Sequence, residues 1–375
     1  MAVRVLLCGM GGYGENYVKE YLTKDVLGST LVAIADPFAS KSTLYEEVVK
    51  KGIPIYNSPE EFFEKESVDL TIISSPIHTH YHYIMLALQH GSNVLTEKPV
   101  CFEEAEIDEM EKKSNEAGLF VAVGYQLCFS HDTLKIKEDI LSGVYGKPLR
   151  FKTIRLMRRN DIYYSRSNWA GAFFCHGEKV FDSPFTNACA HQYQNMVFLL
   201  GKKMDESAKS VSVEGALIRI RPTITNCDTA ILHFKTTEGV DLYYYSSHAV
   251  DEVKVGPFSV YEFENGYIEE VNGAFIGHLK DGKKIDYSAI NKGERLEKLW
   301  CAIRCVEEGR VPICTLKTAR EHTHAVLIAQ DMGVVDMSSK AVCKKDDKDS
   351  NYYTIPGLGK KLLDAYSSWS IKVEL

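Results

Sequence analysis

A histidine between two asparagines is the first group in this chain whose spacing suits chemistry. His191 lies four residues after Asn187 and four before Asn195, which predicts that all three side chains share one helix face. The surrounding residues are mainly apolar, so this polar stripe needs partners, which the hydroxyl groups of a ligand would supply. A neutral imidazole can also take a proton from such a hydroxyl. The alternative is a histidine whose hydrogen bonds are satisfied inside the core.

A lysine at the end of a predicted strand is the second candidate. Lys98 follows the strand predicted at residues 93–97 and precedes Pro99, which favours extended backbone at the lysine. From a strand end its ammonium group can donate to a carbonyl or alcohol oxygen and stabilise negative charge there. An ordinary surface lysine in a turn is the alternative.

A glycine turn near the N-terminus predicts a dinucleotide site. The apolar run at residues 3–8 leads into the motif Gly9-Met10-Gly11-Gly12-Tyr13-Gly14, which fits GxGxxG. A helical segment and a second apolar run follow, and that run ends at Asp36, 22 residues after Gly14. The helix N-terminus suits a pyrophosphate, and the carboxylate suits the ribose hydroxyls. Asp36 would repel a 2′-phosphate, so NAD is favoured, while Ser40 and Lys41 beside it keep NADP possible.

Two further groups are weaker candidates. An aromatic and polar cluster suits a sugar, because ring faces and hydrogen-bond donors alternate in it, although a packed loop has the same composition. Its members are Tyr163, Tyr164, Arg166, Asn168 and Trp169. Cys175 and His176, with His191, contain no spaced pair of metal ligands, so we predict no metal site.

The elements that must position these groups alternate in the first third of the chain. Strands are predicted at residues 3–8, 30–35, 53–56, 70–74, 93–97 and 120–123, with helices between them. This pattern indicates a Rossmann-type doubly wound parallel sheet, an α/β fold whose ligands bind at the carboxyl ends of the strands. Residues 74–76 and 96–99 are therefore expected at the cofactor edge.

The pattern changes after about Phe129. Alternating strands are predicted at residues 149–156, 210–221, 229–236, 240–248, 258–263 and 267–271, with helices at 131–142, 185–200, 295–308 and 316–332. The charged run at 344–350 is expected to be a solvated loop. We predict a nucleotide-binding domain at 1–128 and an α+β domain at 129–375, built on a large, mainly antiparallel open sheet that serves substrate binding and oligomerisation.

Composition narrows the class of protein. A net charge of −7 argues against nucleic-acid and membrane-surface partners. The ten cysteines are scattered, which favours reduced thiols in a cytoplasmic protein. The N-terminus begins as a strand and shows no signal-peptide pattern, and no apolar run approaches the length of a membrane span.

The chain resembles the glucose–fructose oxidoreductase/inositol dehydrogenase (Gfo/Idh/MocA) family. The similarity rests on Ser75-Pro76 with His80, on Glu97-Lys98-Pro99, on Gly124-Tyr125, and on residues 143–148 and 185–201. It implies a Rossmann domain, NAD(P)-linked redox chemistry on sugars or cyclitols, and a homodimer or homotetramer whose subunits meet at the open sheet.

The resemblance also implies roles for individual residues. Lys98, His191 and Asn187 would be catalytic. Cofactor contacts would come from the glycine turn including Gly12 and Tyr13, and from Asp36, Ser75, Pro76, His80, Glu97 and Lys98. Substrate contacts would come from Lys98, Tyr125, Gln126, Trp169, Asn187 and His191. Two positions depart from the family pattern, because Asn187 stands where an aspartate is usual and Cys128 where an arginine is usual.

The main hypothesis is an NAD-dependent oxidoreductase. It would transfer a hydride between nicotinamide and a secondary alcohol or ketone of a sugar, sugar derivative or cyclitol. One alternative is a glycosidase-type elimination, in which NAD oxidises the sugar only transiently and is regenerated. The other is a protein that binds NAD and sugar without turnover.

Overall fold

The chain forms two compact units that differ from the predicted linear division. The computed structural model describes residues 2–26 and 28–375. One unit contains Met1–Phe129 together with Gly293–Arg320, and the other contains Ser130–Lys292 together with Glu321–Leu375. The predicted boundary at 128/129 lies beside the first break. The segment Gly293–Arg320 had been assigned to the second domain, but its helix packs apolar side chains such as Leu299 and Ile303 into the first core.

The first unit begins as a regular alternation of strands and helices. Its strands are β1 (Val3–Cys8), β2 (Ser29–Ala35), β3 (Ile55–Tyr56), β4 (Leu70–Ile73), β5 (Asn93–Thr96) and β6 (Val121–Val123). Its helices up to residue 129 are α1 (Gly14–Thr23), α2 (Tyr45–Lys50), α3 (Pro59–Phe63), α4 (His80–Gln89) and α5 (Glu104–Ala117).

These strands form the predicted parallel sheet. Their order is β3-β2-β1-β4-β5-β6, and every neighbouring pair runs parallel. The central strands β1 and β4 are almost wholly buried, as a sheet covered on both faces requires. Local signals fix the helix ends: Ser58 caps α3 by accepting from the Glu61 N–H, and Gly118 ends α5 in left-handed backbone. The Rossmann prediction is confirmed.

The rest of the chain is richer in strands. Up to residue 292 the strands are β7 (Pro148–Met157), β8 (Phe174–Cys175), β9 (Glu178–Lys179), β10 (Ser210–Arg219), β11 (Thr229–Thr236), β12 (Asp241–Ser247), β13 (Lys254–Phe263), β14 (Gly266–Val271), β15 (Ala274–Leu279) and β16 (Lys284–Asp286). The helices there are α6 (His131–Leu141), α7 (Asp161–Tyr164) and α8 (Ala190–Leu199). After residue 292 follow α9 (Glu297–Glu308), α10 (Leu316–Gln330), β17 (Val334–Asp336), β18 (Val342–Lys345), β19 (Asn351–Thr354) and α11 (Leu358–Ser367).

A nine-stranded sheet organises the second unit. Its order is β16-β15-β14-β13-β7-β12-β11-β10-β17, and all neighbours are antiparallel except β7 with β12 and β10 with β17. A short turn at residues 237–239 joins β11 to β12, with Gly239 in left-handed backbone. The prediction of a large, mainly antiparallel sheet is therefore confirmed.

Each face of this sheet packs against a different helical segment. On one face, Tyr244 and Phe234 contact aromatic rings from the segment around α8, including Phe185. On the other face, Ile154 and Tyr245 share a core with α11. The C-terminal segment thus covers part of the sheet face that was predicted to be open.

Two further details differ from the predictions. The charged run at 344–350 is not wholly a loop, because Lys344 and Lys345 pair with Tyr352 and Asn351 in the β18–β19 hairpin. Alternating exposure lets charged side chains point to solvent from a paired strand. Across residues 2–26 and 28–375, no helix is both long and apolar enough to cross a membrane.

Candidate active site

The glycine turn has the geometry that close approach of a phosphate requires. Gly9 has a φ of +87°, and a Cβ there would lie 2.8 Å from the Ser74 carbonyl oxygen. A Cβ on Gly14 would lie 2.1 Å from the Gly9 carbonyl oxygen, so α1 can begin against the turn only with glycine. Around Gly11 no atom lies within 4 Å of that position, which leaves the backbone open to a ligand. The turn therefore fits a dinucleotide pyrophosphate.

The acid at the end of β2 is fixed beside this turn. One Asp36 carboxylate oxygen accepts from the Met10 N–H at 2.9 Å, and the other accepts from the Phe38 N–H at 2.8 Å. Each oxygen keeps lone-pair capacity for a ribose hydroxyl. The nearby Lys41 ammonium lies 4.7 Å from the centre of the Phe38 ring. The arrangement fits NAD, because the Asp36 carboxylate lies where the 2′-phosphate of NADP would need a cation.

The serine at the end of β4 was expected at the cofactor edge but was not predicted as a cofactor contact. The Ser74 hydroxyl is buried, lacks a hydrogen-bond partner among the described residues, and faces the turn 3.6 Å from where a Gly14 Cβ would be. It is a free donor at the cofactor edge. The predicted cofactor residue Ser75 instead bonds the Thr79 hydroxyl at 2.6 Å, while Pro76 is exposed.

The loop after β5 carries Lys98. The lysine is half-buried, and its peptide bond to Pro99 is cis. His80, predicted as a cofactor contact, is buried and links this loop to the one after β4. Its Nδ1 lies 2.9 Å from the Pro99 carbonyl oxygen, and its Nε2 lies 3.0 Å from that of Ser75. Burial lowers the pKa of His80. These contacts support a positioning role for His80 in place of a cofactor contact.

A buried ion pair lies behind Lys98. Glu97 accepts from the Tyr17 hydroxyl at 2.7 Å and pairs with the ammonium of Lys298, whose side chain is 2% exposed. Burial, and then the Glu97 charge, raise the pKa of Tyr17 well above its usual value. The Lys298 ammonium also lies 4.5 Å from the centre of the exposed Tyr13 ring. A Cβ on Gly124 would lie 3.0 Å from this ammonium, so the glycine after β6 makes room for the pair.

The two substrate contacts predicted just after β6 differ in exposure. Tyr125 is only 1% exposed, so its ring offers no face to a ligand in this conformation. Burial raises its pKa well above the usual value. Gln126, one residue on, is exposed at the start of a short helical turn. We therefore propose a packing role for Tyr125 and keep Gln126 as the candidate contact.

In the second unit, the predicted polar stripe is broken. Residues Pro184–Ala188 form a π-helical turn, and α8 begins only at Ala190, so Asn187 and His191 do not share one continuous α-helix. The wider π turn inserts extra backbone and shifts Asn187 off the i, i+4 row. Asn195 is buried and donates to the Tyr261 hydroxyl at 3.2 Å, which makes it a core residue.

His191 lies in the first turn of α8 and is half-buried. Asn187, just before the helix, donates from Nδ2 to Asp182 at 2.8 Å. Asp182 is buried, and its other oxygen accepts from the Gly171 N–H at 2.7 Å. An acid that sequence reasoning did not single out therefore orients Asn187.

In the aromatic and polar cluster, an arginine side chain packs against aromatic rings. The Arg166 guanidinium lies 3.7 Å from the centre of the Tyr163 ring and 5.0 Å from that of Trp169. It also pairs with Asp182 at 3.4 Å. Asp182 thus joins this loop to Asn187 and the start of α8, within one unit.

Comparisons with known proteins agree with this geometry. Residues 3–125 match the family model described as an oxidoreductase family with an NAD-binding Rossmann fold. The chain is 25% identical over 332 residues to scyllo-inositol 2-dehydrogenase (NAD(+)) of Bacillus subtilis, covering 84% of this chain and 89% of that protein. It is 24% identical to D-glucoside 3-dehydrogenase of Escherichia coli, over 53% of this chain and 54% of that one.

The fold is shared with solved structures. The WlbA dehydrogenase of Bordetella pertussis, solved with NADH and UDP-GlcNAcA, superposes with a TM-score of 0.70 at 18% identity, covering 88% of this chain and 95% of that one. The glycine turn, the fixed acid and these relatives define an NAD-binding oxidoreductase with a Rossmann domain. The family model that residues 3–125 match is that of the Gfo/Idh/MocA oxidoreductases, which the sequence motifs also resemble.

Proposed function

We propose that this enzyme oxidises a secondary alcohol of a sugar, sugar derivative or cyclitol, or reduces the matching ketone. The observation that carries the proposal is His191, an imidazole held in the first turn of α8 and joined to the polar loop through Asn187 and Asp182. The relatives named for inositol and glucoside dehydrogenation support the substrate class.

The residues divide the work as follows. When bound, NAD supplies the hydride acceptor. The glycine turn, Ser74 and Asp36 hold the dinucleotide. His191 takes the hydroxyl proton during oxidation and returns it during reduction. Lys98, in the first unit, is the group proposed to donate to a substrate oxygen and to stabilise developing negative charge on it. Asn187 orients the substrate or the imidazole and is itself fixed by Asp182.

Release of NADH tests the reaction. With NAD and a panel of polyols, inositols, hexoses and glycosides, we expect at least one compound to give continuous NADH formation with stoichiometric ketone. Product without NADH release would indicate the elimination alternative, and no turnover on any compound would indicate a binding protein. NADP should support a much lower kcat/KM, because Asp36 repels the 2′-phosphate.

A variant of Asp36 tests whether this residue sets the preference for NAD over NADP. Asp36→Ala should weaken NAD binding and narrow the difference between NAD and NADP, both measured by calorimetry. Asp69→Ala is the control. Asp69 is an acid of the same unit and lies directly before β4, but its carboxylate accepts from the Arg4 N–H, away from the glycine turn. Equal or tighter NADP binding by the unaltered protein would refute the assignment of Asp36.

We also propose a nucleotide-binding first domain, a substrate-binding second domain, and a homodimer or homotetramer. α11 covers one part of the outer face of the nine-stranded sheet, so the proposed interface is the remaining part on β13–β15. That part exposes Tyr267 and Val271 beside the half-buried Val260 and Ile276. This face combines those apolar side chains with the polar Glu262, Glu269 and His278, a mixture that suits contact with a second copy.

Light scattering tests this interface. The unaltered protein should give a mass of at least twice 42.2 kDa at micromolar concentration. Val271→Glu should shift it towards monomer, because each interface would bury two new charges. Val211→Glu, on a strand valine of similar exposure (57% against 50%), should leave the mass unchanged. A stable monomer for the unaltered chain would refute the proposal.

We place the protein in the cytoplasm. All ten cysteines are free thiols, and most are buried, which fits a reducing compartment. Cell fractionation of the native source tests this placement.

A further inference from the structure

An arginine and a histidine lie together at one edge of the nine-stranded sheet. The parallel neighbours β7 and β12 end at the same edge, where Leu156 is in register with Ser247. Just beyond these ends, the Arg159 N–H donates to the His248 carbonyl oxygen at 3.1 Å. The backbone therefore holds these two side chains side by side, in the unit that contains His191.

Arg159 is a cation with no carboxylate within ion-pair distance in the described part of the chain. Its guanidinium lies 4.5 Å from the centre of the Tyr163 ring, and its Nε is buried with no acceptor among residues 2–26 and 28–375. The other arginines nearby are compensated: Arg166 pairs with Asp182, and Arg221 pairs with Asp161. A half-buried guanidinium with an unsatisfied N–H is costly, and an anionic ligand would remove that cost.

His248 adds a directed donor. It is only 3% exposed, and its Nδ1 lies 3.2 Å from the Tyr164 hydroxyl. Burial, followed by the charges of Arg159 and Arg166, holds the pKa of His248 well below its usual value, so the ring is neutral. Burial also raises the pKa of Tyr164 well above normal, so its hydroxyl keeps the proton. In the tautomer in which that hydroxyl donates to Nδ1, the neutral ring carries its own proton on Nε2, which is buried and has no partner among the described residues.

These groups are continuous with the proposed catalytic residues. Asn187 bonds Asp182, Asp182 pairs with Arg166, and Arg166 stacks on the Tyr163 ring. The same ring has Arg159 as a neighbour, and His248, whose ring lies 5.3 Å from that of Tyr163 in an edge-to-face contact. A ligand that reaches from the start of α8 along this loop would meet the unpaired donors.

We propose that Arg159 and His248 form a subsite for a single carboxylate on the substrate, so that the enzyme acts on an acidic sugar of the uronic-acid class. The inference rests on the proposed function and narrows its substrate. One uncompensated positive charge matches one monoanion, whereas a phosphate dianion would need a second cation. A planar guanidinium also pairs with a carboxylate through two parallel hydrogen bonds, to which the Nε2–H adds a third.

Matched substrates test the subsite. Hexuronic acids, their uncharged amides, the parent hexoses and hexose 6-phosphates would each be supplied with NAD. We expect the acid to exceed its amide by roughly 10²-fold in kcat/KM, the size typical for truncating one partner of a buried charged hydrogen bond. Equal turnover of acid and amide, or preference for the phosphate, would overturn the carboxylate assignment while leaving the oxidoreductase function intact.

Variants locate the effect. Arg159→Gln should lose the preference for the acid and keep its activity on the amide, and His248→Gln should lose a smaller part of it. Arg158→Gln is the matched control, because Arg158 bonds the Asp251 carbonyl oxygen and lies 4.0 Å from Asp347 instead. Circular dichroism would confirm that each variant is folded. An unchanged preference in folded Arg159→Gln would refute the subsite.

A binding measurement keeps the inference testable if no compound is turned over. Calorimetry with glucuronate and NADH should show binding to the unaltered protein and at least a tenfold weaker affinity in Arg159→Gln, with Arg158→Gln unchanged. Binding of glucuronate without turnover of any compound would count against the proposed reaction and support the subsite. Equal binding of glucuronate and glucose would count against the subsite.

Discussion

Replacement of His191 by alanine should lower kcat for alcohol oxidation by on the order of 10²–10⁴-fold and leave the affinity for NAD nearly unchanged. The imidazole is the proposed proton acceptor, and without it the hydroxyl proton must leave to water. The residues proposed to hold NAD, such as Gly11 and Asp36, belong to the other unit of the chain, so their geometry does not depend on this side chain. Steady-state kinetics and calorimetry with NAD measure the two quantities separately.

The pH dependence gives a sharper form of this test. In the unaltered enzyme, oxidation should slow on acidification as the imidazole becomes protonated and can no longer accept a proton. His191→Ala should lose that dependence, and added imidazole should restore part of the rate. A purely structural histidine would show neither effect.

A second histidine supplies the control. His233 lies on the nine-stranded sheet, with its two ring nitrogens 2.7 Å from Glu214 and 2.9 Å from Asp241. His233→Ala should therefore keep full activity. If His191→Ala also keeps full activity, α8 is structural and the proton leaves through another group.

The first domain could be predicted from sequence because its signals are local. The turn from β1 into α1 needs glycine at positions where a Cβ would meet backbone, and the motif places Gly9 and Gly14 there. The strands of a parallel sheet buried on both faces also appear as short apolar runs, as at Leu70–Ile73. Asp36 follows such a run, so its position beside the turn follows from the topology.

The site in the second unit could be predicted only in part. His191 is half-buried at a helix start, but the spacing i, i+4, i+8 assumes uninterrupted α-helix and cannot detect the π turn at Pro184–Ala188. Ser183 and Thr186 form a capping box around Pro184, and that Ser-Pro-x-Thr pattern was the available signal of an earlier helix start. The acid that fixes Asn187 comes before this turn, and no periodicity points to it.

Other parts were missed for different reasons. The helix α11 had a usable signal, because Leu358, Leu362 and Ala365 recur at helical spacing and are all buried. The pairing of Glu97 with Lys298 had none, since 201 positions separate the two residues and the segment that carries the lysine returns to the first unit after eight of the nine strands of the second sheet. Contacts of that kind depend on tertiary structure alone.

Replacement of Lys298 by alanine should destabilise the first unit by about 3–5 kcal/mol, the cost of leaving one member of a buried ion pair without its partner. The Glu97 side chain is 11% exposed, and among the described residues the Tyr17 hydroxyl would be left as the side-chain donor to its carboxylate. Its charge would then lie uncompensated beside the Tyr13 and Tyr17 rings. The loss should appear as a lower urea midpoint with an unchanged slope.

The fluorescence of Trp300 can follow this unit alone. Trp300 lies in α9 and donates to Glu20 at 3.1 Å, whereas the other two tryptophans, Trp169 and Trp369, belong to the second unit. All measurements would use a background with phenylalanine at those two positions. The exposed pair of Lys65 with Glu61, in the same unit, gives the control, since Lys65→Ala should change stability by less than about 1 kcal/mol.

A double replacement separates charge from packing. Glu97→Gln combined with Lys298→Met removes both charges and keeps most of the volume, so it should recover most of the stability that Lys298→Ala loses. If the double variant is as unstable as the single one, the contacts of the lysine stem carry the stability and the charge pairing does not. If Lys298→Ala alone leaves the urea midpoint unchanged, hydrogen bonds to Tyr17 and to solvent are enough to stabilise the Glu97 carboxylate. The ion pair then does not stabilise the loop that carries Lys98.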